Sequence, residues 1–322
     1  MRFALVVIAL VACNSDRVEE PPRKTPWVHT EAQRRAAIGD VSTLSPELQR
    51  AFDPIAFVPT PPPNTSDWLD VYDEPGQTFD EHQAGKFHAP DDVRRVLYIL
   101  PLGDFRADVP SPATLARIAH AYFGLEVRVL PAVPLADVEA KRRGLDVRGR
   151  PSQMFVADVL RWLVPRVPDD AQALIAVTMM DLYPDDKTWF TFGQGSFYER
   201  VAVESFARFD PEFYNGDRKP DWQKVMLARA AFTTIHELGH TFGLAHCTYY
   251  ECVFAGVTNR REIDRRPLHA CPICLRKLHA ALKFDPARRE DDLAAVFAEL
   301  ALDEEAAWSK QRAAWIRTGS LR

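Results

Sequence analysis

Long apolar runs are missing from the sequence beyond its first dozen residues, which argues against a membrane-spanning helix there. The longest later run, residues 173–180, is far shorter than the roughly 20 residues that cross a bilayer. A surplus of positive charge is missing as well, because 40 basic residues stand against 45 acidic ones and the net charge is −5. This balance argues against a nucleic-acid ligand.

Cysteine and histidine are scarce, with five and nine copies among 322 residues. Four of the cysteines and four of the histidines nevertheless lie between His236 and Cys274. The apolar content of 47% is ordinary for a globular protein, and the length suits one large domain or a main domain with a smaller partner. The rare residue types therefore concentrate the candidate chemistry in one short segment.

The N-terminus reads as a targeting signal. Arg2 precedes a short apolar stretch at residues 3–12, which is typical of a signal peptide. The ending Leu-Val-Ala-Cys at residues 10–13 resembles the lipobox of bacterial lipoproteins, in which the chain is cut before Cys13 and lipid is attached there. This resemblance implies an extracytoplasmic, lipid-anchored protein, and Asn14 suggests the outer membrane. The alternative is a plain secretory signal in which Cys13 is incidental.

Proline clusters interrupt the chain before its regular part begins. A polar, proline-rich stretch follows Cys13, and a second proline cluster occupies residues 59–67. Such stretches favour extended backbone. We therefore divide the chain into a signal peptide (1–12), a proline-rich tether with an N-terminal extension (13–90) and a main domain (91–322).

From residue 91 onward, strand and helix patterns alternate. Three strands are predicted, at residues 93–103, 125–133 and 173–184. Two helices are predicted between them, at residues 111–124 and 151–166. A bulged edge strand at 188–196 and an alternating strand at 200–209 follow. This order predicts an α/β fold with a mixed, mainly parallel twisted sheet and an antiparallel edge strand.

A long helix is predicted over residues 220–244, and it carries a metal-binding pattern. His236 and His240 are four residues apart, so they lie on one face of the helix. Two imidazoles placed in this way can bind one zinc ion, and the adjacent Glu237 can hold and deprotonate a water.

A catalytic zinc needs a third protein ligand and one open position. His246 can be that ligand, but a straight helix does not bring it to the metal. Gly243 can adopt a left-handed conformation that ends the helix and turns the chain back. The alternative interpretation is three surface histidines at the end of a helix.

The extended pattern HExxHxxGxxH, which starts at His236, resembles that of the metzincin zinc metallopeptidases. Cysteines after the pattern narrow the resemblance to the archaemetzincins, at Cys247, Cys252, Cys271 and Cys274. The similarity covers roughly residues 91–282. It implies a metzincin-like peptidase domain with a smaller helical C-terminal subdomain and two zinc ions, one catalytic and one structural.

The four cysteines leave two alternatives open. The resemblance implies that they bind the structural zinc, and a Cys-x-x-Cys pair with a second close pair suits a tetrahedral site. In an oxidising compartment the same four thiols can instead form two disulfides. Either cross-link would join the loop after the histidines to the C-terminal helices.

One position departs from the family pattern. The resemblance places a methionine beneath the catalytic zinc, two residues after the second cysteine, and this chain has Phe254 there. A bulky apolar residue can preserve such a packing floor, but phenylalanine is stiffer than methionine. We therefore keep the enzyme assignment and expect Phe254 to weaken the activity.

We predict a zinc-dependent peptidase, expected to be a monomer, that pairs a peptide or protein substrate with the edge strand near residues 188–193. Glu237 would be the general base. Two alternatives are a zinc-stabilised surface binding module without turnover and a metal-scavenging lipoprotein. The other histidines are expected to be solvated or on the surface, at His29, His82, His88, His120, His269 and His279.

Overall fold

The computed structural model describes residues 28–144 and 152–320, so the signal peptide and Cys13 lie outside the described residues. The strands are β1 (Val96–Leu102), β2 (Glu126–Val129), β3 (Arg142–Arg143), β4 (Gln153–Phe155), β5 (Ala171–Thr178), β6 (Asp181–Tyr183), β7 (Gly193–Gly195) and β8 (Val201–Ser205). The helices are α1 (Glu31–Ile38), α2 (Pro46–Ala51), α3 (Trp68–Val71), α4 (Phe79–Ala84), α5 (Pro112–Phe123), α6 (Val156–Leu163), α7 (Trp222–Thr241), α8 (Arg260–Arg265), α9 (Pro272–Leu282), α10 (Pro286–Glu299) and α11 (Asp303–Thr318).

A five-stranded sheet in the order β2-β1-β5-β8-β7 forms the centre of the fold. β1 pairs in parallel with β2 and β5, β5 pairs in parallel with β8, and β7 pairs with β8 antiparallel. The predicted mixed, mainly parallel sheet with an antiparallel edge strand is therefore confirmed. β3, β4 and β6 form a second, three-stranded sheet that the sequence patterns did not indicate.

The large sheet is buried on both faces, as expected for parallel strands covered by helices. Along β1, Leu97 and Ile99 pack into the core that contains α5 and α7, while Tyr98 and Leu100 pack into the core that contains α6. No helix within residues 28–144 and 152–320 combines the length and apolar character that crossing a bilayer requires.

The prediction for α5 is confirmed in detail. Ser111 accepts a hydrogen bond from the backbone N–H of Thr114 at 3.0 Å, proline occupies the first turn, and Gly124 ends the helix with a left-handed φ of 67°. Each of these signals is local, which is why the sequence alone could predict it.

The prediction of a helix over residues 151–166 is wrong at its start, and the strand predicted at 173–184 is split. α6 begins only at Val156, because residues 153–155 pair in parallel with β6. The amide of Gln153 donates to Asp181 at 2.7 Å and fastens this pairing. The pairing of β4 with β6 therefore overrides the local helix preference of residues 153–155. The same pairing places β6 in a different sheet from β5.

β6 and the segment after β8 are joined by a buried ion pair. Arg208, after β8, donates two hydrogen bonds to Asp181 of β6, at 2.7 and 2.8 Å, and both side chains are buried. A buried charge needs such a partner, and a two-pronged arginine–carboxylate pair provides good geometry. The pair joins the small sheet to the segment that follows the large one.

The N-terminal segment packs against the domain. Ala51 and Phe52 are buried in the main core, and Arg312 of α11 donates to the backbone oxygen of Ala51 at 2.9 Å. Trp68 is only 6% exposed. The part of the extension that the structure describes is therefore integrated with the C-terminal helices, while the predicted boundary at residue 90 stays a prediction.

Candidate metal centres

Helix α7 and the turn after it bring three histidines together. His236 and His240 lie one turn apart on α7, and Gly243 turns the chain with a φ of 80°. A Cβ at Gly243 would lie 2.5 Å from the Cβ of Phe87, so both the backbone conformation and the close approach require glycine. His246 returns to the other two, and one nitrogen from each ring lies within 4.8 Å of the others.

Hydrogen bonds set the orientation of the three imidazole rings. The Nδ1 atom of each ring contacts an oxygen that accepts: Val253 O at 2.8 Å from His236, Leu244 O at 2.7 Å from His240, and both Glu74 carboxylate oxygens at 3.1 Å from His246. Each Nδ1 therefore carries the proton, and each Nε2 has a free lone pair. The Nε2 atoms of His236 and His240 lie 3.1 Å apart with no proton to place between them.

This donor set fits zinc. Zinc–nitrogen bonds of about 2.0–2.1 Å in tetrahedral geometry place two ligand nitrogens about 3.3 Å apart, close to the observed 3.1 Å. Burial lowers the pKa of His236 well below its usual value and that of His240 to about 3, so both rings are neutral at physiological pH. Neutral imidazole is the form that binds a metal.

Glu237 directly follows His236 on α7 and is only 6% exposed. Its Oε2 atom has no hydrogen-bond partner among the described residues. Burial raises the pKa of Glu237 to about 8, against an opposing hydrogen bond from the backbone of Gly195. A dication nearby would counteract this rise, since opposite charge favours the carboxylate.

Two glycines let the edge strand approach α7 closely. A Cβ at Gly193 would lie 2.7 Å from Glu237 Oε1, and one at Gly195 would lie 2.5 Å from the backbone oxygen of Glu237 and 2.7 Å from the Cβ of His240. β7 therefore lies directly against the histidine–glutamate face. The predicted edge strand at 188–196 is confirmed in its position, but only Gly193–Gly195 form strand.

A second buried carboxyl group lies near Glu237, on β8. Residues 200–209 alternate apolar and polar in sequence, yet all five residues of β8 are buried. Glu204 accepts a hydrogen bond from Thr234 at 2.6 Å, and its other oxygen has no partner among the described residues. Burial, with Glu237 adding to it, raises the pKa of Glu204 well above its usual value.

Phe254 is completely buried below the histidines. Its ring lies 6.4 Å from the ring of His236 and 6.3 Å from that of Tyr122, measured between centroids. A Cβ at Gly239 would lie 2.1 Å from Phe254 Cε1, so the ring occupies the space that this helix glycine leaves open. The structure thus accommodates phenylalanine in the place where the resemblance implied methionine.

The four remaining cysteines converge in a second, fully buried cluster. The sulfurs of Cys247, Cys252, Cys271 and Cys274 lie within 4.8 Å of one another, and none of them forms a disulfide. The Cys247 and Cys271 sulfurs are 3.5 Å apart, close to the about 3.8 Å that tetrahedral zinc–sulfur bonds of about 2.3 Å would give. The donor set therefore fits zinc, and it joins the loop after α7 to α9.

Sequence patterns missed the contribution of the N-terminal extension. Glu74 contacts His246 across 172 residues of sequence, and no local spacing could have indicated this pairing. The expectation that His82 is solvated is wrong, since His82 is 1% exposed and donates to the backbone oxygen of Phe242 at 2.9 Å. His269 stacks on Trp308 at 3.7 Å between ring centroids and is not part of the cysteine cluster.

Comparisons with known proteins agree on one family. The model of "Peptidase family M54" matches residues 135–280. Archaemetzincin-2 from Homo sapiens is 32% identical over 272 residues, which cover 75% of each chain. Archaemetzincin-1 from Rattus norvegicus is 33% identical over 247 residues, covering 68% of this chain and 49% of its own.

Solved structures of archaemetzincin (AmzA) from two organisms are also similar. The protein from Methanopyrus kandleri is 29% identical with a TM-score of 0.45, covering 61% of this chain and 99% of its own. The one from Archaeoglobus fulgidus is 27% identical with a TM-score of 0.44, covering 56% and 99%.

Proposed function

Because the chain belongs to peptidase family M54, the archaemetzincin zinc metallopeptidases, we propose that it hydrolyses peptide bonds at the three-histidine centre. The family that the sequence motif indicated is thereby confirmed. The observation that carries the mechanism is the convergence of three imidazole nitrogens, with Glu237 directly after His236 on α7 and one of its buried oxygens without a hydrogen-bond partner among the described residues.

His236, His240 and His246 would hold the catalytic zinc as three protein ligands, the number that a catalytic zinc has. When bound, zinc supplies Lewis acidity, which lowers the pKa of a coordinated water to about 7 and polarises the scissile carbonyl. The neighbouring Glu237 would accept the proton of the attacking water and then pass it to the leaving amine. Its nearly complete burial keeps bulk water from competing for that proton.

The substrate would bind along β7. β7 is the edge strand of the large sheet, the position at which an extended peptide would pair antiparallel. Gly193 and Gly195 place this edge against Glu237 and His240. A peptide bound there would pass directly over the reacting groups.

The four cysteines would hold a second, structural zinc, giving two zinc ions per chain. All four sulfurs are buried, so no position is open for substrate. Structural zinc contributes its binding free energy to folding. We assign this site to stability rather than to the reaction.

Glu237→Gln tests the mechanism. The zinc-loaded chain without its signal (residues 14–322) is incubated with a diverse peptide mixture, and products are read by mass spectrometry. We expect the parent and the control Glu139→Gln, at an exposed carboxylate, to cut the same peptides, and Glu237→Gln to keep its zinc but lose the cuts. Equal cleavage by Glu237→Gln would show the proposed role of Glu237 to be wrong.

Absence of cuts from the parent, with two zinc ions confirmed, would favour the alternative of a zinc-stabilised binding module. In that case Phe254→Met would be compared with the parent in the same assay. Restored cleavage would locate the defect at the floor of the histidine site.

We also propose that the protein is lipid-anchored outside the cytoplasm, on the basis of the lipobox-like residues 10–13. Expression in a bacterial host followed by membrane fractionation tests this. The parent should carry lipid on Cys13 and sediment with the outer membrane, and Cys13→Ser should lose the lipid. Lipid-free, soluble parent protein would overturn this proposal without touching the mechanism.

A further inference from the structure

The three histidines differ in what holds them. His236 and His240 donate to backbone oxygens of Val253 and Leu244, which belong to the same part of the chain as the histidines. His246 alone donates to a side chain, the carboxylate of Glu74, at 3.1 Å to each oxygen. The third ligand is therefore oriented by the N-terminal extension.

Glu74 is itself held in place. The indole nitrogen of Trp68 donates to Glu74 Oε2 at 2.9 Å, and the Trp68 ring meets the His246 ring edge-on at 4.6 Å between centroids. The backbone N–H of Trp68 in turn donates to the carboxylate of Glu262 at 3.1 Å. A Cβ at Gly256 would lie 2.5 Å from the indole, so the ring lies flat on this backbone.

The residues after Glu74 bind both sides of the turn that carries His246. The Gln77 amide donates to the backbone oxygen of Gly243 at 3.3 Å and accepts from the backbone N–H of Ala245 at 3.2 Å. Thr248 donates to the backbone oxygen of Pro75 at 3.3 Å. Residues 74–77, which lie outside the peptidase motif, therefore hydrogen-bond to several positions of residues 243–248.

We propose that Glu74 is a positioning residue of the catalytic metal site, which makes the N-terminal extension part of that site. A carboxylate that accepts from Nδ1 fixes the tautomer, aims Nε2 at the metal and raises the basicity of the ligand. It also places a second negative charge, besides Glu237, next to the dication. The assignment rests on the proposed three-histidine zinc centre.

Glu74→Ala and Glu74→Gln test this role, with Glu139→Gln as the control for loss of an exposed carboxylate. Metal-free chains are titrated with Co²⁺ and then with a competing chelator. Co²⁺ bound by the cysteine cluster gives thiolate-to-cobalt charge-transfer bands in the near ultraviolet. Co²⁺ bound by the histidines adds absorbance in the visible range with no increase in these charge-transfer bands. The cysteine cluster thus serves as an internal reference for folding in every variant.

We expect Glu74→Ala to weaken metal binding at the histidine site tenfold to hundredfold while the cysteine cluster binds as in the parent. Glu74→Gln should recover part of this loss, because its amide oxygen still accepts from Nδ1 but carries no charge. Affinity within twofold of the parent in Glu74→Ala would overturn the assignment. A parallel loss at both sites would also overturn it, because that result describes a general folding defect.

Failure of the parent to bind metal at the histidines would overturn the zinc centre and this assignment together. Failure of the variants to differ from the parent would overturn the assignment alone. The two proposals are therefore distinguishable within one titration series.

Discussion

Gly239→Ala should destabilise the protein, although alanine is normally the better helix residue. In the interior of a helix, this exchange gains about 1 kcal/mol from backbone propensity. Here the new Cβ would lie 2.1 Å from Cε1 and 2.7 Å from Cδ1 of Phe254, which is fully buried. Overpacking of a dense core costs about 1–3 kcal/mol, and a contact this short belongs at the upper end. We therefore expect a net loss of about 2 kcal/mol.

The reasoning predicts coupling between the two positions. Methionine at position 254 is flexible enough to make room for the new Cβ, so in a Phe254→Met background Gly239→Ala should cost less than about 0.5 kcal/mol or stabilise. Phe254→Met alone should cost less than about 1.5 kcal/mol, since it nearly conserves volume. The parent, Gly239→Ala, Phe254→Met and the double variant are each saturated with zinc and unfolded in urea. The four free energies of unfolding give the coupling free energy between the two positions.

A matched control comes from Lys224, which lies at an exposed position of the same helix. Because Lys224 lies in the first turn of α7, Lys224→Ala should be more stable than Lys224→Gly by less than the about 1 kcal/mol of a helix interior, which gives a lower bound on the propensity gain without the ring. The reasoning would be refuted if Gly239→Ala were as stable as the parent. It would also be refuted if the loss were the same in the Phe254→Met background.

The remaining predictions concern the cysteine cluster and His82. Cys274→Ser should release one zinc per chain and lower the melting temperature, because three sulfurs hold the metal less firmly; unchanged metal content would contradict a four-cysteine zinc site. Burial lowers the pKa of His82 from 6.5 to about 4, so protons bind the unfolded chain more readily. The resulting penalty is absent above pH 6.5 and grows as the pH falls towards 4, reaching about 3 kcal/mol at most. As the pH falls over this range, the free energy of unfolding of His82→Gln, measured in urea titrations, should therefore decrease less than that of the parent. An equal decrease in both proteins would contradict the lowered pKa of His82.

Features set by neighbouring residues could be predicted from the sequence. The four-residue spacing of His236 and His240 places both rings on one helix face whatever surrounds them. The cap at Ser111 and the left-handed Gly124 likewise depend on a few adjacent residues. The α/β order and the edge position of β7 followed from the same kind of pattern.

Features that depend on distant partners could not be predicted. β4 is a strand because β6 lies beside it, although its residues continue into a helical pattern. Glu204 has the polar character of a solvated strand position, but α7 covers it and Thr234 supplies its hydrogen bond. In both cases packing across the fold outweighed the local preference.

The sequence by itself determined which donor atoms exist and which of them share a turn: three imidazoles, one glutamate and four thiols, at spacings that only certain metal sites use. The tertiary structure alone decided how these donors are oriented. It placed Glu74 against His246 and Gly193 against Glu237. It also placed the backbone oxygens of Val253 and Leu244 against the other two histidine rings. The physical reason is that helix geometry acts over a few residues, whereas hydrogen bonds and close packing join residues only after the whole chain has folded.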